Sequence, residues 1–126
     1  MSMYDETTNE TFKRGLARKA IIEIAQGMLD GSVELLAGCR RLVRLRIEAA
    51  ASVSPAFNAI TGVESETDDY PLGEGRNAFS AELLAKLDSE VSTYLSEVRP
   101  AVLQSCREII EEVEALEMNS SGNSVQ

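Results

Sequence analysis

The sequence contains no histidine and only two cysteines. Without histidine, the chain cannot build the Ser-His-Asp or Cys-His arrangements of nucleophilic enzymes. Two cysteines alone do not complete the tetrahedral ligand set of an ordinary zinc site. Glycine-rich phosphate-binding motifs are missing too, because Gly73 and Gly75 lack the preceding strand and the third glycine of a dinucleotide fingerprint. We therefore predict no catalytic residues, no metal ligands and no cofactor, and we expect that the protein is not an enzyme.

Long hydrophobic runs are also lacking. No segment approaches the roughly 18 apolar residues that indicate a membrane-spanning helix. The first residues are acidic and no apolar segment follows them, so no signal peptide is expected. The sequence therefore predicts a cytoplasmic protein in which Cys39 and Cys106 stay reduced. Both cysteines lie on apolar helical stripes, which favours a position in the core.

Basic residues are scarce in the second part of the chain. The whole chain has 12 basic and 21 acidic residues and a net charge of -9. Residues 1–50 carry eight bases and seven acids (+1), whereas residues 51–126 carry four bases and fourteen acids (-10). The acidic part would repel nucleic acid and anionic membranes, so neither is an expected partner. A basic protein is the charge-compatible partner; the alternative is that the acidity only maintains solubility.

Apolar residues recur at intervals of three and four along two segments, which predicts two amphipathic helices. The first helix begins near residue 10 and ends at Asp30 and Gly31, because glycine readily adopts the left-handed conformation at a helix end. Ser32 is expected to cap the second helix. The connection is short, so the two helices should form an antiparallel hairpin. The apolar stripes consist of Phe12, Leu16, Ala20, Ile24 and Met28 in the first helix and of Leu35, Leu36, Cys39, Leu42, Val43, Ile47 and Ala50 in the second.

Several arginines of the second helix lie off its apolar stripe. We expect Arg40, Arg41 and Arg44 to face solvent. Together with Arg46 and the bases of the first helix they form a basic patch, but no aromatic residue is interleaved there to stack on a nucleic-acid base. The patch is therefore predicted to be a solvated face, and the alternative is a contact with the acidic part of a second copy.

Two serines mark the beginnings of the later helices. Ser54 and Pro55 begin a short third helix, which Phe57 anchors and Gly62 is expected to end. Ser80 caps a long final helix over residues 81–117.

The final helix contains a proline, yet its apolar residues keep the same phase on both sides of Pro100. This pattern predicts one helix with a kink near Ser96–Pro100 rather than two helices. The predicted fold is all-α, with an antiparallel helical hairpin packed on a long Pro-kinked C-terminal helix, plus one short helix. We expect a single helical domain over residues 10–118, with disordered ends over residues 1–9 and 119–126.

Residues 62–79 show no helical period and carry five acids and no base between Gly62 and Gly75. A loop of this length inside a small domain is usually functional or disordered. The calcium-loop pattern fails, because Asp69 and Gly75 stand where glycine and glutamate are required. Apolar groups beside charges are typical of protein-binding surfaces. The alternative is a solvated loop. The candidate partner-binding residues are Glu64, Glu66, Asp68, Asp69 and Tyr70.

Two stretches of sequence carry a family resemblance. The first reads Gly-Val-Glu-Ser-Glu-Thr-Asp-Asp-Tyr-Pro-Leu-Gly over residues 62–73, and the second reads Val-Arg-Pro-Ala-Val-Leu over residues 98–103. With Arg76, Cys106 and Arg107 they resemble a family of short bacterial all-helical proteins of unknown function, over roughly residues 20–115. The resemblance implies no activity, but it implies that the acidic loop is a signature. The chain also resembles toxin-immunity proteins, which cover the basic active site of a toxin. This resemblance is limited to small size, acidity and helical character, and no motif is shared.

These observations predict a non-enzymatic protein-binding module of the immunity or inhibitor kind, which covers a basic partner, such as a toxin, through the acidic loop. The alternative is a self-assembling structural protein, a homodimer formed through the long helix. A third hypothesis is a carboxylate- or metal-dependent enzyme.

Overall fold

A computed structural model describes the backbone of residues 2–49 and 54–125, and the side chains of residues 10–49 and 54–117. Short 3-10 segments precede the third and fourth helices, and no strand occurs in the described ranges. The all-α prediction is confirmed. The helices in chain order are α1 (Ser2–Asp30), α2 (Leu35–Glu48), α3 (Asn58–Glu66) and α4 (Ala81–Val125), with 3-10 segments at Pro55–Phe57 and Gly73–Ala78.

The α1–α2 hairpin forms around a tight turn. Gly31 has a φ of 88°, the left-handed conformation predicted for the residue that ends α1. The prediction that Ser32 caps α2 is wrong, because Glu34 occupies the cap position and Ser32 donates its hydroxyl to the carbonyl of Gly27. At the other end of α2, Arg18 Nε donates to the carbonyl of Ala49 at 3.3 Å. The two helices therefore run antiparallel, and α2 ends beside residue 18 of α1.

The third helix is longer than its sequence predicted. The hydroxyl of Ser54 accepts a hydrogen bond from the backbone nitrogen of Ala56 at 3.1 Å, as expected of a cap. However, α3 does not end at Gly62, and it continues to Glu66. The reason is that Val63, one residue later, is buried in the core. The helix therefore gains packing energy by continuing, and part of the predicted 62–79 loop is helical.

The final helix is continuous across Pro100, as predicted. The bend expected there stays a prediction. At its beginning, Ser80 Oγ accepts from the backbone nitrogen of Leu83 at 3.1 Å. The backbone is helical over residues 2–9 and 119–125, where the sequence predicted disordered ends, because each range prolongs a helix that the core already supports. The order of these ends in solution stays a prediction.

The core lies where α1, α2 and α3 meet the second half of α4. Both cysteines are fully buried and unpaired, as their position on apolar stripes predicted. No residue between 81 and 101 is buried, so the first half of α4 only covers the core from one side. The buried hydrophobic side chains are Ala17, Ile21, Ile24, Ala25, Met28, Leu35, Leu36, Cys39, Leu42, Ala49, Ala56, Phe57, Ile60, Val63, Val102, Cys106, Ile109 and Val113.

Three residues of the predicted hairpin stripes are exposed instead, and so is Leu116 of the final helix. Phe12 and Leu16 are 57% and 55% exposed, because α2 ends beside residue 18 and does not reach them. Ile47, in the last turn of α2, is 68% exposed. Ala50 lies outside the described residues. Within the part of the chain that the structure describes, no helix has the length and apolar character needed to cross a membrane.

Candidate partner-binding surface

One arginine of α2 holds the turn that follows α3. Arg40 Nη2 donates to the backbone carbonyl of Thr67 and, at 2.9 Å, to that of Tyr70. The backbone nitrogen of Tyr70 also donates to the carbonyl of Thr67 at 3.0 Å, which closes the turn. We call residues 67–70 the acidic turn. The prediction that Arg40 faces solvent is wrong. Carbonyls at the end of a helix have no hydrogen-bond partner within the helix, and they attract a cation.

The acidic turn presents its carboxylates outward. Asp68 and Asp69 are exposed, and so is Glu66 in the last turn of α3. Glu64 is half-buried and also belongs to α3 rather than to a loop. Among the described residues, none of these four acids forms a salt bridge or a side-chain hydrogen bond. Three of the predicted partner-binding acids therefore lie at one end of α3 with no salt bridge to a described residue.

Tyr70, the fifth predicted site residue, has a structural role. Its hydroxyl donates to Asp88 Oδ1 of α4 at 2.5 Å. Arg76 forms a bidentate pair with the same carboxylate at 3.0 and 2.8 Å, and it donates to the Tyr70 hydroxyl at 3.1 Å. We call these three residues the tyrosine latch. It fastens the segment after the acidic turn to the second turn of α4, and sequence spacing alone gave no sign of it.

The charges of the latch shift the titration of its members. Hydrogen bonds from Arg76, and then from Tyr70, hold the pKa of Asp88 below its ordinary value. The hydrogen bond to Asp88 raises the pKa of the Tyr70 phenol, and burial adds to this effect. The same contacts raise the pKa of Arg76. All three groups therefore stay in the charge state that the latch needs at neutral pH.

An open groove of about 460 Å³ lies beside the latch. One wall is the loop of Tyr70 and Leu72, a second is α4, and the third is the turn between α1 and α2. The floor is apolar and the rim is charged, a combination that suits an apolar side chain flanked by polar groups. We call this space the latch groove. Its lining includes Met28, Val33, Glu34, Leu35, Leu36, Tyr70, Leu72, Asp88, Val91, Leu95 and Arg99.

Three bases of the predicted basic patch bind groups within the fold, and the others are exposed. Arg46 Nη1 donates to the hydroxyl of Thr61 on α3 at 2.9 Å, while Arg18 joins α1 to the end of α2. Only Arg41 and Arg44 of the α2 arginines are exposed. The sequence signals for these roles are that Arg40 lies at the edge of the apolar stripe and that Arg46, four residues after Leu42, lies on it.

Neither thiol offers a reactive centre. Burial raises the pKa of Cys39 to about 12 and that of Cys106 to about 11, so both are protonated at neutral pH. Cys106 Sγ lies 3.8 Å from Met28 Sδ in the core. In the described ranges, no three carboxylate or thiol side chains are placed to share a metal ion.

Comparisons with known proteins give no relative for this chain. No protein-family model matches it, and no match is found among curated proteins or solved structures.

Proposed function

We propose that the protein is a non-enzymatic binding module whose acidic turn and latch groove together bind a basic segment of another protein. The observation that carries the proposal is that Arg40 fixes the turn from behind while Asp68 and Asp69 face solvent in front. A fixed turn binds at a lower cost in conformational entropy than a mobile loop, because its backbone is ordered before the partner arrives.

The groove supplies the apolar part of the contact. Tyr70 belongs to the acidic turn and also lines the groove, so the two features are continuous. A partner segment with an apolar side chain between basic residues would place the apolar group against Leu72 and Leu95. Its cations would then pair with the exposed carboxylates of Asp68 and Asp69. Apolar anchors with a charged rim carry most of the energy in protein interfaces of this kind.

An immunity or inhibitor role is the specific form of this proposal. A toxin that acts on nucleic acid or another polyanion has a basic active site, and an acidic surface covers such a site by charge complementarity. The net charge of -9 would speed the encounter with a basic partner. High salt would screen this attraction and slow the encounter. The expected location of such a protein is the cytoplasm.

Charge reversal in the acidic turn tests the proposal. The partner is first captured from the native cell with the wild-type protein as bait, purified, and titrated against the wild type and E66K/D68K/D69K by calorimetry. The matched control is E23K/E108K/E111K, which changes the net charge by the same amount at exposed positions elsewhere. We expect the turn variant to bind about a hundredfold more weakly, since truncated interfacial charge pairs cost 2–5 kcal/mol or more, and the control to bind almost as the wild type.

A second variant tests the role of the fixed turn without altering an acid. Arg40→Gln removes the donor that holds the turn, so binding should weaken about tenfold while helix content stays the same. Equal losses in the turn variant and its control would show that only net charge matters. Unchanged affinity in E66K/D68K/D69K would place the contact elsewhere and would overturn the proposal.

A further inference from the structure

Residues 10–16 of α1 extend beyond the end of α2. α1 has 29 residues and α2 has 14, so at 1.5 Å per residue their lengths are about 44 Å and about 21 Å. The hydrogen bond between Arg18 and Ala49 places the end of α2 beside residue 18. Phe12 and Leu16 therefore lie on a part of α1 that α2 does not cover, and each is more than half exposed.

A cleft of about 760 Å³ opens at this point between α1 and the end of α2. Its centre is apolar, with Leu16, Ala17, Ala20 and Leu45, and Phe12 lies one turn away from Leu16. We call this space the hairpin-end cleft. Large exposed apolar side chains beside a concave apolar surface are typical of an interface rather than of a free surface. The rim consists of Glu10, Lys13, Arg14 and Glu48.

The rim carries balanced charge, unlike the acidic second part of the chain. Among the residues whose side chains are described, two acids and two bases line the cleft, so this part of its rim is neutral, whereas residues 51–126 carry -10. Two copies of the chain repel each other through their acidic second parts, residues 51–126. At this cleft they do not, and the bases of each rim can face the acids of the other. A strongly basic or acidic partner would find no net attraction here.

We infer that the hairpin-end cleft is a homodimer interface, and that its occupant is the same cleft of a second copy. In a two-fold arrangement the same surface serves both subunits, so it must complement itself. Phe12 and Leu16 of each copy would enter the cleft of the other, and Lys13 and Arg14 would face the acids Glu10 and Glu48 across the axis. The two overhanging ends of α1 would cover each other.

This dimer leaves the acidic turns accessible. The latch groove includes Gly31 at the other end of α1, 15 residues from Leu16 and thus about 22 Å along the helix. Self-association at one end of the hairpin therefore does not compete with the partner proposed for the other end. The inference rests on the cleft alone and does not depend on the proposed function.

Sedimentation equilibrium of the full chain between about 5 and 200 µM tests the inference. We expect the wild type to show a monomer–dimer equilibrium, and F12Q/L16Q to dimerise at least about tenfold more weakly, because the interface loses both apolar anchors. The matched control is F79Q/L83Q, which removes a phenylalanine and a leucine, 37% and 41% exposed, that lie near the beginning of α4 and do not line the cleft. The control should dimerise as the wild type does.

A measurement on the unmodified sequence keeps the test independent of variant folding. Equal amounts of ordinary and ¹⁵N-labelled protein are mixed and treated with a carbodiimide, which joins lysines to carboxylates in contact. We expect mixed-isotope cross-links between Lys13 and Glu10 or Glu48. A monomer at 200 µM, cross-links confined to single chains, or a dimer that only F79Q/L83Q disrupts would overturn the inference. A monomer whose Phe12 binds another protein would also overturn it, because the cleft would then belong to that protein.

Discussion

Asp88 is the residue on which the loop before α4 depends. Its carboxylate accepts two hydrogen bonds from Arg76 and one from Tyr70, and the Arg76 pair is the only salt bridge among the described side chains. Bidentate pairs of this geometry are stronger than ordinary surface ion pairs. The ionised form of Asp88 therefore stabilises the fold. This contribution is present above the ordinary carboxyl pKa and is lost as the pH falls through the lowered pKa of the folded state.

The Asp88 pKa can be measured by a carbon-detected NMR titration of its carboxyl group. We expect a value below 3.8 in the wild type and a rise toward 3.8 in Arg76→Gln, because the arginine is the largest cause of the shift. Tyr70→Phe should raise it less. Asp30 is the internal control, since its pKa is lowered by Ser32 and should be the same in all three proteins. The same Asp88 pKa in wild type and Arg76→Gln would contradict the latch.

Residue-level roles were the hardest to predict from the sequence. The off-stripe position of Arg40 indicated solvent, and Arg46 was assigned to a solvated patch, yet both arginines donate to groups of α3 and the turn after it. The acceptors of Arg40 lie 27 and 30 residues further along the chain, so local periodicity contains no information about them. In contrast, the burial of Cys39 and Cys106 followed from the stripes, because a small apolar side chain on a helix stripe goes inside.

At the scale of the helices, two glycines have opposite surroundings. Gly62 is exposed in the middle of α3, and a Cβ added there would meet nothing within 4 Å. Gly38 is buried in α2, where a Cβ would lie 2.6 Å from Met28 Cγ and also collide with Met28 Sδ. Met28 is itself buried against Cys106, so it has little room to move. Gly62 only weakens its helix, whereas Gly38 allows α1 and α2 to approach each other.

Alanine substitutions should therefore change stability in opposite directions. We expect Gly62→Ala to raise the free energy of unfolding by about 0.5–1 kcal/mol, because alanine has the higher helix propensity. Gly38→Ala should lower it by about 1–3 kcal/mol through overpacking of the core. Urea unfolding followed by circular dichroism measures both. Destabilisation by Gly62→Ala would show that α3 does not continue past that residue, and a neutral Gly38→Ala would show that the hairpin has room to relax.

Three helix boundaries were predictable from a capping or terminating residue, whereas Ser32 does not cap α2 as expected. Gly31, Ser54 and Ser80 each act at the helix end that the sequence assigned to them. Gly62 failed as a stop signal because the burial of Val63 outweighs the modest propensity cost of one glycine. The single helix through Pro100 was predictable from the unbroken apolar phase. The tertiary environment thus decided the end of α3, where the local signal was weak.

Across the whole molecule, stability is concentrated on one side of Pro100. Between residues 102 and 113 of α4, five side chains are buried, and between residues 81 and 101 none is. Buried contacts oppose local opening, so these two parts of one helix differ in how often they open. The sequence predicted an equal apolar stripe along both parts. It could not predict the difference, because the hairpin that covers α4 is shorter than α4 itself.

Hydrogen exchange followed by mass spectrometry measures this difference. We expect amides of residues 102–113 to exchange about a hundredfold more slowly than those of residues 84–98, because opening of the first part does not disrupt the core. The buried part of α1, residues 17–28, is the reference and should exchange as slowly as residues 102–113. Uniform protection along α4 would contradict the asymmetry and would indicate that the helix opens as one unit.

The contact between Arg40 and the acidic turn is lost in a partly unfolded chain. The guanidinium is carried by the second helix, and the carbonyls that it binds follow the third, so neither piece can shape the turn alone. A chain whose second helix has melted loses the turn together with its core. A partner that recognises the shape of the acidic turn would therefore bind only the folded protein, and would lose its site when the core unfolds.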